Sequence, residues 1–172
     1  IHTRSPEFLA VNPNGHIPSM EDDGLVLHES LAINLYLARK HGGPLAPKDV
    51  KEEGLMAMWS LWAATEVEPP SIHIVYNAVS KPPAERDPKL LASSIEACRA
   101  PFAVLDKELA STGYLVGGRF TVADINVAEV VRYAQPAKEL FDANPNVAKW
   151  IAACQSRPAF KAMMAKRDAE PA

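Results

Sequence analysis

The sequence predicts an α+β fold that is mostly helical, with one small sheet near the N-terminus. Three observations lead to this prediction. Residues 12–30 (NPNGHIPSMEDDGLVLHES) have the pattern of a turn, two short strands joined by a tight hairpin and the start of a helix. A linker rich in proline and glycine follows, with GPLAP at residues 43–47. From about Val50 onward apolar residues recur at helical spacing, so no second sheet is expected.

Composition and charge exclude several function classes. Of the 172 residues, 48% are apolar and 23% are charged, and the net charge of −3 argues against nucleic-acid and anionic-membrane partners. No apolar run approaches the ~18 residues of a membrane span. Cys98 and Cys154 lie in helical patterns and form no CxxC pair, so reduced thiols of a cytoplasmic protein are expected. The five histidines lack ligand spacing, and no metal site is expected.

The predicted hairpin is the part of the chain in which chemistry is easiest to recognise. Glu21-Asp22-Asp23-Gly24 supplies the turn, because glycine tolerates the positive φ that such turns require. Pro18 cannot donate a ladder hydrogen bond and is expected at a strand edge or in a cis turn, which leaves the Ile17 backbone free for another partner. An ordinary strand start also explains an isolated Ile-Pro. The apolar strand positions are Ile17, Met20, Leu25 and Leu27.

Glu29 and Ser30 stand directly before a helical stretch that ends near Gly42. A serine at a helix start is expected to cap free backbone N–H groups. Those N–H groups and the helix dipole also favour a bound carboxylate, and Glu29 beside them suits a cationic amine. The pair therefore fits the amino-acid end of a small zwitterion.

Three segments together, NPNGHIP at 12–18, Asp23-Gly24 and ESLAI at 29–33, resemble the second half of the thioredoxin-like domain of cytosolic glutathione transferases. The resemblance implies that Pro18 is a cis-proline and that the Ile17 backbone pairs with the cysteinyl part of glutathione like an added strand. It implies that Glu29 and Ser30 hold the γ-glutamyl end and that His16 lies toward the glycine carboxylate.

The first long helix after the linker carries Leu55, Trp59, Trp62 and Glu66 along one face. Pro69-Pro70 is expected to break or kink it. In the resembled family this helix lines the dimer interface and the mouth of the electrophile site. Trp62 and Glu66 are therefore candidates for the electrophile site or for contact with glutathione across subunits. A solvated charge at Glu66 and a core or interface position for the two tryptophans explain the same pattern.

A second helix is predicted from Pro88 to Leu109, with a bend at Pro101 and a solvated charged face that includes Asp106. Its buried stripe consists of Leu91, Ile95, Cys98, Phe102, Leu105 and Leu109. Further along, Asn144-Pro145 is expected to cap and open another helix, and Arg157-Pro158 precedes the last one.

Thr121 and Asp124 have the spacing of a capping box, with Asp in place of the usual Glu or Gln. The surrounding segment, YLVGGRFTVADINVA at 114–128, resembles the folding motif in the helical domain of glutathione transferases. We therefore interpret Asp124 as structural rather than as an active-site acid.

Complete members of the resembled family begin with a β-α-β unit that places a Tyr, Ser or Cys over the glutathione sulfur and stabilises its thiolate. No residue here matches that group, so we expect no catalytic residue in this sequence and place it upstream of Ile1. The predicted organisation is a partial thioredoxin-like domain at residues 1–42, a linker at 43–49 and an all-helical bundle at 50–172.

The predicted function is a glutathione transferase, a cytoplasmic homodimer in which the glutathione thiolate attacks a small hydrophobic electrophile, with glutathione as co-substrate and no metal. Two alternatives stay open. One is a non-catalytic binding module of the same fold, as in stringent starvation or translation elongation proteins. The other is a glutathione-dependent isomerase or thiol reductase. The intact Ile17-Pro18 and Glu29-Ser30 pairs favour a working glutathione site.

Overall fold

The computed structural model describes residues 2–170, which form a mostly helical chain with one antiparallel two-stranded sheet. The predicted mostly helical α+β fold is confirmed. In chain order the elements are α1 (Pro6–Val11), β1 (Ser19–Asp22), β2 (Leu25–His28), α2 (Ser30–His41), α3 (Val50–Trp62), α4 (Glu68–Val75), α5 (Pro88–Thr112), α6 (Val122–Val131), α7 (Lys138–Asp142), α8 (Pro145–Ser156) and α9 (Pro158–Asp168).

The sheet is the predicted hairpin, with a register that runs from Ser19 opposite His28 to Asp22 opposite Leu25. Asp23 and Gly24 form the two-residue turn with φ angles of 51° and 80°, the left-handed pair that matches the twist of a tight hairpin. The turn is thus shorter than expected, because Glu21 and Asp22 still pair within β1. Ile17 precedes β1 instead of belonging to it.

The hairpin is fastened to α2 by the side chain of Asp22. Its Oδ2 accepts hydrogen bonds from the Tyr36 hydroxyl, at 2.9 Å, and from the Lys40 ammonium. The Lys40 ammonium, followed by the Tyr36 hydroxyl, holds the pKa of the Asp22 carboxyl below its ordinary value. These contacts join the sheet and α2 into one unit.

The α-helix that was predicted to break or kink at Pro69-Pro70 ends at Trp62, shortly before the prolines. A π-helical turn at Ala63–Val67 leads directly from α3 into α4. Pro69 then lies in the first turn of α4, where a missing N–H removes no hydrogen bond from a continuing ladder. The chain therefore stays helical through both prolines.

The buried face of α3 differs from the predicted stripe by one position. Trp59 is buried as expected, but Leu55 is 43% exposed and Met56 takes its place in the core. Two small residues are also buried, Ser60 of α3 and Ala63 of the π-helical turn that follows it. A pattern search based on large apolar side chains overlooks such contacts.

Helix α5 supplies the centre of the helical core. Cys98, Phe102, Leu105 and Leu109 are buried as predicted, and the helix continues through Pro101 to Thr112. The solvated position expected for Asp106 was wrong. Its Oδ1 accepts the backbone N–H groups of Asn146, at 2.7 Å, and Val147, at 3.2 Å, which open α8.

Asp106 therefore caps α8 in place of Asn144, whose side chain accepts no N–H group of that helix. The Asn144 side-chain amide donates to the carbonyl of Leu140, at 2.7 Å. The position of the helix start was predicted correctly, because Pro145 follows Asn144 at the first helical residue.

Asp124 is fully buried at the start of α6. Its carboxylate accepts the N–H and hydroxyl of Thr121, at 2.8 and 3.1 Å, the N–H of Leu115, at 3.2 Å, and the indole N–H of Trp150, at 2.9 Å. Burial raises the pKa of this carboxyl, and the four hydrogen bonds act in the opposite direction. These contacts favour the structural interpretation of the Thr121–Asp124 pair.

Cys98 and Cys154 are buried, unpaired thiols. Burial raises the pKa of Cys98 to about 11 and that of Cys154 to about 12, so both stay protonated at neutral pH. Within residues 2–170, no helix combines the length and apolar character that crossing a membrane requires. The same residues contain no group of three His, Cys, Asp or Glu side chains placed to hold a metal ion.

Candidate functional site

The predicted site residues of the hairpin region meet at its open end. Ser19 and His28 are the last cross-strand partners at this end, so Pro18 and Glu29, the residues that flank the two strands, adjoin the same end of the sheet. His16, Ile17, Pro18, Glu29 and Ser30 are all exposed there. The sheet register therefore brings together five residues that the sequence separates into two groups.

The Ile17–Pro18 peptide bond is cis, as the resemblance implied. Ile17 is 61% exposed. In the described part of the chain its backbone N–H and carbonyl bond to no other protein group. Both groups are thus available to an extended peptide that runs alongside, which is the geometry of an added strand.

Asn12 holds this loop in place, and sequence reasoning missed it. The buried Asn12 side-chain amide donates to the carbonyl of His16, at 2.7 Å, and to Oγ of Ser19, at 3.2 Å, on either side of the Ile17–Pro18 pair. Its Oδ1 accepts the N–H of Asn14, at 3.0 Å, as in an Asx-turn. The Asn-Pro-Asn-Gly pattern was the signal that points to this role.

The start of α2 differs from the prediction. Glu29 occupies the position directly before the helix, with a left-handed φ of 74° and a ψ of 108°. No side chain caps this end of α2, and Ser30 is already the first helical residue. The expectation that Ser30 caps the helix was wrong, because a serine does this from the position before the helix.

The first-turn N–H groups of α2 therefore face outward with no side-chain oxygen on them. A helix N-terminus in this state attracts a carboxylate through its free donors and its dipole. A non-glycine residue at positive φ adds strain of about 1–3 kcal/mol, and such residues cluster at ligand sites. The geometry thus favours an anion at α2 and a cation at the Glu29 carboxylate.

A second carboxylate, that of Glu68, lies at the start of α4. Burial raises the pKa of Glu68, and the negative charge of Glu29 raises it further. Sequence reasoning selected Glu66 instead. The Glu66 carboxylate is exposed and accepts the Thr65 hydroxyl, at 3.3 Å.

Trp62, the other candidate on this helix, packs edge-to-face against Trp59, with 5.0 Å between ring centroids. It is partly buried against the helical core. Among residues 2–170, no hydrogen bond or ring contact joins Trp62 or Glu66 to the five hairpin residues. The hairpin candidates adjoin one end of the sheet, and the described side-chain contacts of Trp62 and Glu66 are with their own helical segment.

A buried amide links the start of α2 to the helical domain. Asn126 on α6 donates to the carbonyl of Leu31, at 3.1 Å, and to Oγ of Ser60, at 2.9 Å. Its Oδ1 accepts the side-chain amide of Asn34, at 2.8 Å. No sequence pattern predicted this cluster, since its other members lie 66 to 95 residues from Asn126 in the chain.

Two family profiles match the chain. The profile described as "Glutathione S-transferase, C-terminal domain" matches residues 67–158, more than half of the sequence. The profile described as "Glutathione S-transferase, N-terminal domain" matches residues 2–45, which contain the whole hairpin site.

Individual proteins agree with the profiles. The chain is similar to a glutathione S-transferase of Hyoscyamus muticus, with 31% identity over 166 residues, 92% of this chain and 78% of the relative. It is similar to glutathione S-transferase GstB of Escherichia coli K12, with 34% identity over 158 residues, 90% of this chain and 76% of the relative. Its fold is similar to that of a theta-class glutathione S-transferase from Xanthomonas axonopodis pv. citri with glutathione bound, at a TM-score of 0.81, 30% identity, 92% of this chain and 77% of that chain.

Proposed function

The chain belongs to the glutathione S-transferase family, and from that premise we propose that the open end of the hairpin is its glutathione-binding site. The predicted glutathione transferase function is confirmed by these relatives. What remains to be assigned is how residues of this chain hold the tripeptide and what they contribute to the transfer.

The observation that carries the proposal is the uncapped start of α2. Its first-turn N–H groups carry no side-chain oxygen, and Glu29 is held at a φ of 74° beside them. We assign these N–H groups and the Ser30 hydroxyl to the γ-glutamyl carboxylate. The carboxylate of Glu29 suits the γ-glutamyl ammonium.

The other half of the tripeptide lies along the loop before β1. The unpaired backbone groups of Ile17 suit the cysteinyl peptide unit, which then adds to the sheet edge as an extended segment. His16, next along the chain, is exposed and suits the glycine carboxylate. Binding at both ends fixes the position of the sulfur between them.

This anchoring supports catalysis by orientation. The reaction requires the glutathione thiolate to attack an electrophilic carbon, and a sulfur held near that carbon reacts faster than one that diffuses freely. We propose that the electrophile is a small hydrophobic compound, with Trp62 and Glu66 as candidates for its site or for contact across subunits.

We also propose that the protein is a homodimer in the cytoplasm. Helix α3 exposes apolar side chains on one face, with Val50 79%, Met58 48% and Leu61 67% exposed, as expected for a surface that a partner covers. The unpaired thiols of Cys98 and Cys154 support a reducing compartment.

The experiment that tests the glutathione site uses two conservative variants of the full-length protein. Glu29→Gln removes only the charge that faces the ammonium, and Ser30→Ala removes only the hydroxyl. We expect each to weaken binding of S-methylglutathione by about 10-fold or more, since a hydrogen bond to a charged group contributes about 1.5–3 kcal/mol. Isothermal titration calorimetry measures this loss, and the methylated ligand makes it independent of thiol ionisation.

Matched controls come from the same chain. Glu21→Gln removes an exposed charge from the same hairpin, and Ser111→Ala removes an exposed hydroxyl at the end of α5. Both are expected to bind S-methylglutathione as the wild type does. Unchanged affinity in both Glu29→Gln and Ser30→Ala would overturn the assignment of this site.

A further inference from the structure

We propose that Asn126, a buried residue of α6 that lies outside the ligand-contacting set, is a positioning residue for glutathione binding. The proposal rests on the glutathione site proposed above and adds a residue to it. The Asn126 side-chain amide bonds to Leu31 of α2, the residue after Ser30. It also bonds to Ser60 of α3, shortly before the π-helical turn that leads to Glu68.

The Asn126 side chain bonds to two other helices through both of its N–H donors and through its carbonyl oxygen. It is fully buried, its Oδ1 accepts from Asn34 at 2.8 Å, and its Nδ2 donates to the Leu31 carbonyl at 3.1 Å and to Ser60 Oγ at 2.9 Å. A buried amide that is bonded through both its nitrogen and its oxygen favours one arrangement of the elements that it joins.

The bond to Leu31 acts on the part of α2 that faces the ligand. In an α-helix, a carbonyl accepts the N–H four residues on, so the bond from Asn126 is additional to the helix ladder. Leu31 directly follows Ser30, and Asn34 lies one turn further along α2. Two hydrogen bonds from one side chain therefore set both the position and the rotation of the first turn of α2.

This restraint is needed because Glu29 is strained. A non-glycine residue keeps a φ of 74° only where its surroundings hold it there. The hairpin holds Glu29 from the β2 side, and Asn126 and Asn34 hold the helix that follows it. If the amide of Asn126 is removed, the first turn gains freedom and the N–H groups lose their fixed direction.

The bond to Ser60 extends the same control to the other carboxylate. Ser60 Oγ also donates to the carbonyl of Met56, at 2.7 Å, so it stays fixed on α3. The π-helical turn at Ala63–Val67 begins three residues later and ends immediately before Glu68. One side chain thus sets α2 and α3 relative to each other, and with them Glu29 and Glu68.

The test compares Asn126→Ala with Val127→Ala in the full-length protein. Val127 is the next residue of α6, fully buried, and has no link to α2 through a side-chain hydrogen bond, so its truncation controls for general loss of stability. We expect Asn126→Ala to raise KM for glutathione by 10-fold or more, with a change of less than about threefold in KM for a model aryl halide. We expect Val127→Ala to leave both KM values within about twofold of wild type.

Hydrogen exchange separates this proposal from the glutathione site itself. The amides of residues 33–35 are the first in α2 with a helical acceptor, Ile33 donating to Glu29 at 3.0 Å. In Asn126→Ala, without ligand, these amides are expected to exchange at least 10-fold faster than in Val127→Ala, while those near the end of α2 change equally in both. This measurement needs no bound glutathione, so it holds even if the ligand assignment fails.

The outcomes are distinct. Equal exchange at residues 33–35 in the two variants, or an equal rise in KM for glutathione, overturns the role of Asn126 while the Glu29 and Ser30 assignment stands on its own variants. If Asn126→Ala does not fold, Asn34→Ala removes only the bond to Oδ1 and takes its place, with a smaller rise in KM for glutathione expected. No rise in Asn34→Ala would then overturn the proposal.

Discussion

Two helix starts in this protein solve the same problem in opposite ways. At α6, the buried carboxylate of Asp124 accepts the N–H and hydroxyl of Thr121 and two further donors from the core. At α2, no side chain caps the first turn, and Glu29 is exposed at a left-handed φ of 74°. The start of α6 is also held from within by the capping box and by the Val122 N–H, which donates to the Leu45 carbonyl at 3.1 Å, whereas the start of α2 has neither contact.

This difference distinguishes a helix start that stabilises the fold from one that can bind a ligand. A helix start whose donors are all paired inside the protein has nothing left to offer a ligand, however acidic its surroundings. A start that leaves its donors free, and holds a strained residue beside them, is ready for an anion. The buried acidic residue, Asp124, therefore fits a role in folding, and the exposed one, Glu29, fits the proposed glutathione site.

The largest expected effect on stability comes from removing the Asp124 carboxylate at the start of α6. Asp124→Ala leaves the backbone N–H groups of Thr121 and Leu115 and the indole N–H of Trp150 buried without acceptors. At about 1–3 kcal/mol for each unsatisfied buried group, the free energy of unfolding should fall by at least about 3 kcal/mol. Equilibrium urea unfolding measures the change.

The conservative variant Asp124→Asn sharpens the same test. It keeps one acceptor oxygen in the same place, so its loss of stability should lie between those of the wild type and Asp124→Ala. If Asp124→Ala lowers the free energy of unfolding by less than about 1 kcal/mol, the carboxylate does not stabilise the start of α6 as described. The contrast with the start of α2 would then fail.

The start of α6 could be predicted from the sequence because its signal is local. Thr121 and Asp124 are three residues apart, and a capping box requires only that spacing and those side chains. The Asp23-Gly24 turn and the buried stripe of α5 were predicted for the same reason. Both depend on residue type and short-range periodicity.

The start of α2 could only partly be predicted. Residue types pointed to Glu29 and Ser30, but they also suggested an ordinary serine cap. The positive φ of Glu29, which moves Ser30 into the helix, is set by the sheet on one side and by α6 on the other. Such a backbone angle depends on packing between segments that are far apart in the chain.

The long-range hydrogen bonds could not be predicted from the sequence for the same reason. Asn126 reaches Leu31 and Asn34 across 95 and 92 residues, and Asp106 caps α8 across 40 residues. Each of these residues looks like a solvated polar group or an isolated amide when only its neighbours in sequence are considered. Their roles appear once the helices are packed together.

A smaller effect should follow when the strain at the start of α2 is relieved. Glu29→Gly and Glu29→Ala both remove the carboxylate, but only glycine adopts a φ of 74° without steric conflict. We expect Glu29→Gly to have a free energy of unfolding about 1 kcal/mol higher than Glu29→Ala, after allowance for the greater flexibility of glycine in the unfolded chain. Urea unfolding of the two variants gives this difference directly. A less stable Glu29→Gly would show that position 29 is not strained.

The smallest effect on stability is expected for Ser30→Ala, and it tests whether the start of α2 is truly uncapped. A matched start exists at α3, where the exposed Asp49 accepts the N–H groups of Lys51 and Glu52, each at 2.9 Å. Asp49→Ala should lower the free energy of unfolding by about 1 kcal/mol, the usual contribution of a side-chain cap. Ser30→Ala should change it by less than about 0.5 kcal/mol, because the Ser30 hydroxyl accepts none of the first-turn N–H groups. If the two losses are equal in urea unfolding, Ser30 does cap α2. The N–H groups assigned to the γ-glutamyl carboxylate would then be occupied, and the contrast between the two helix starts would disappear.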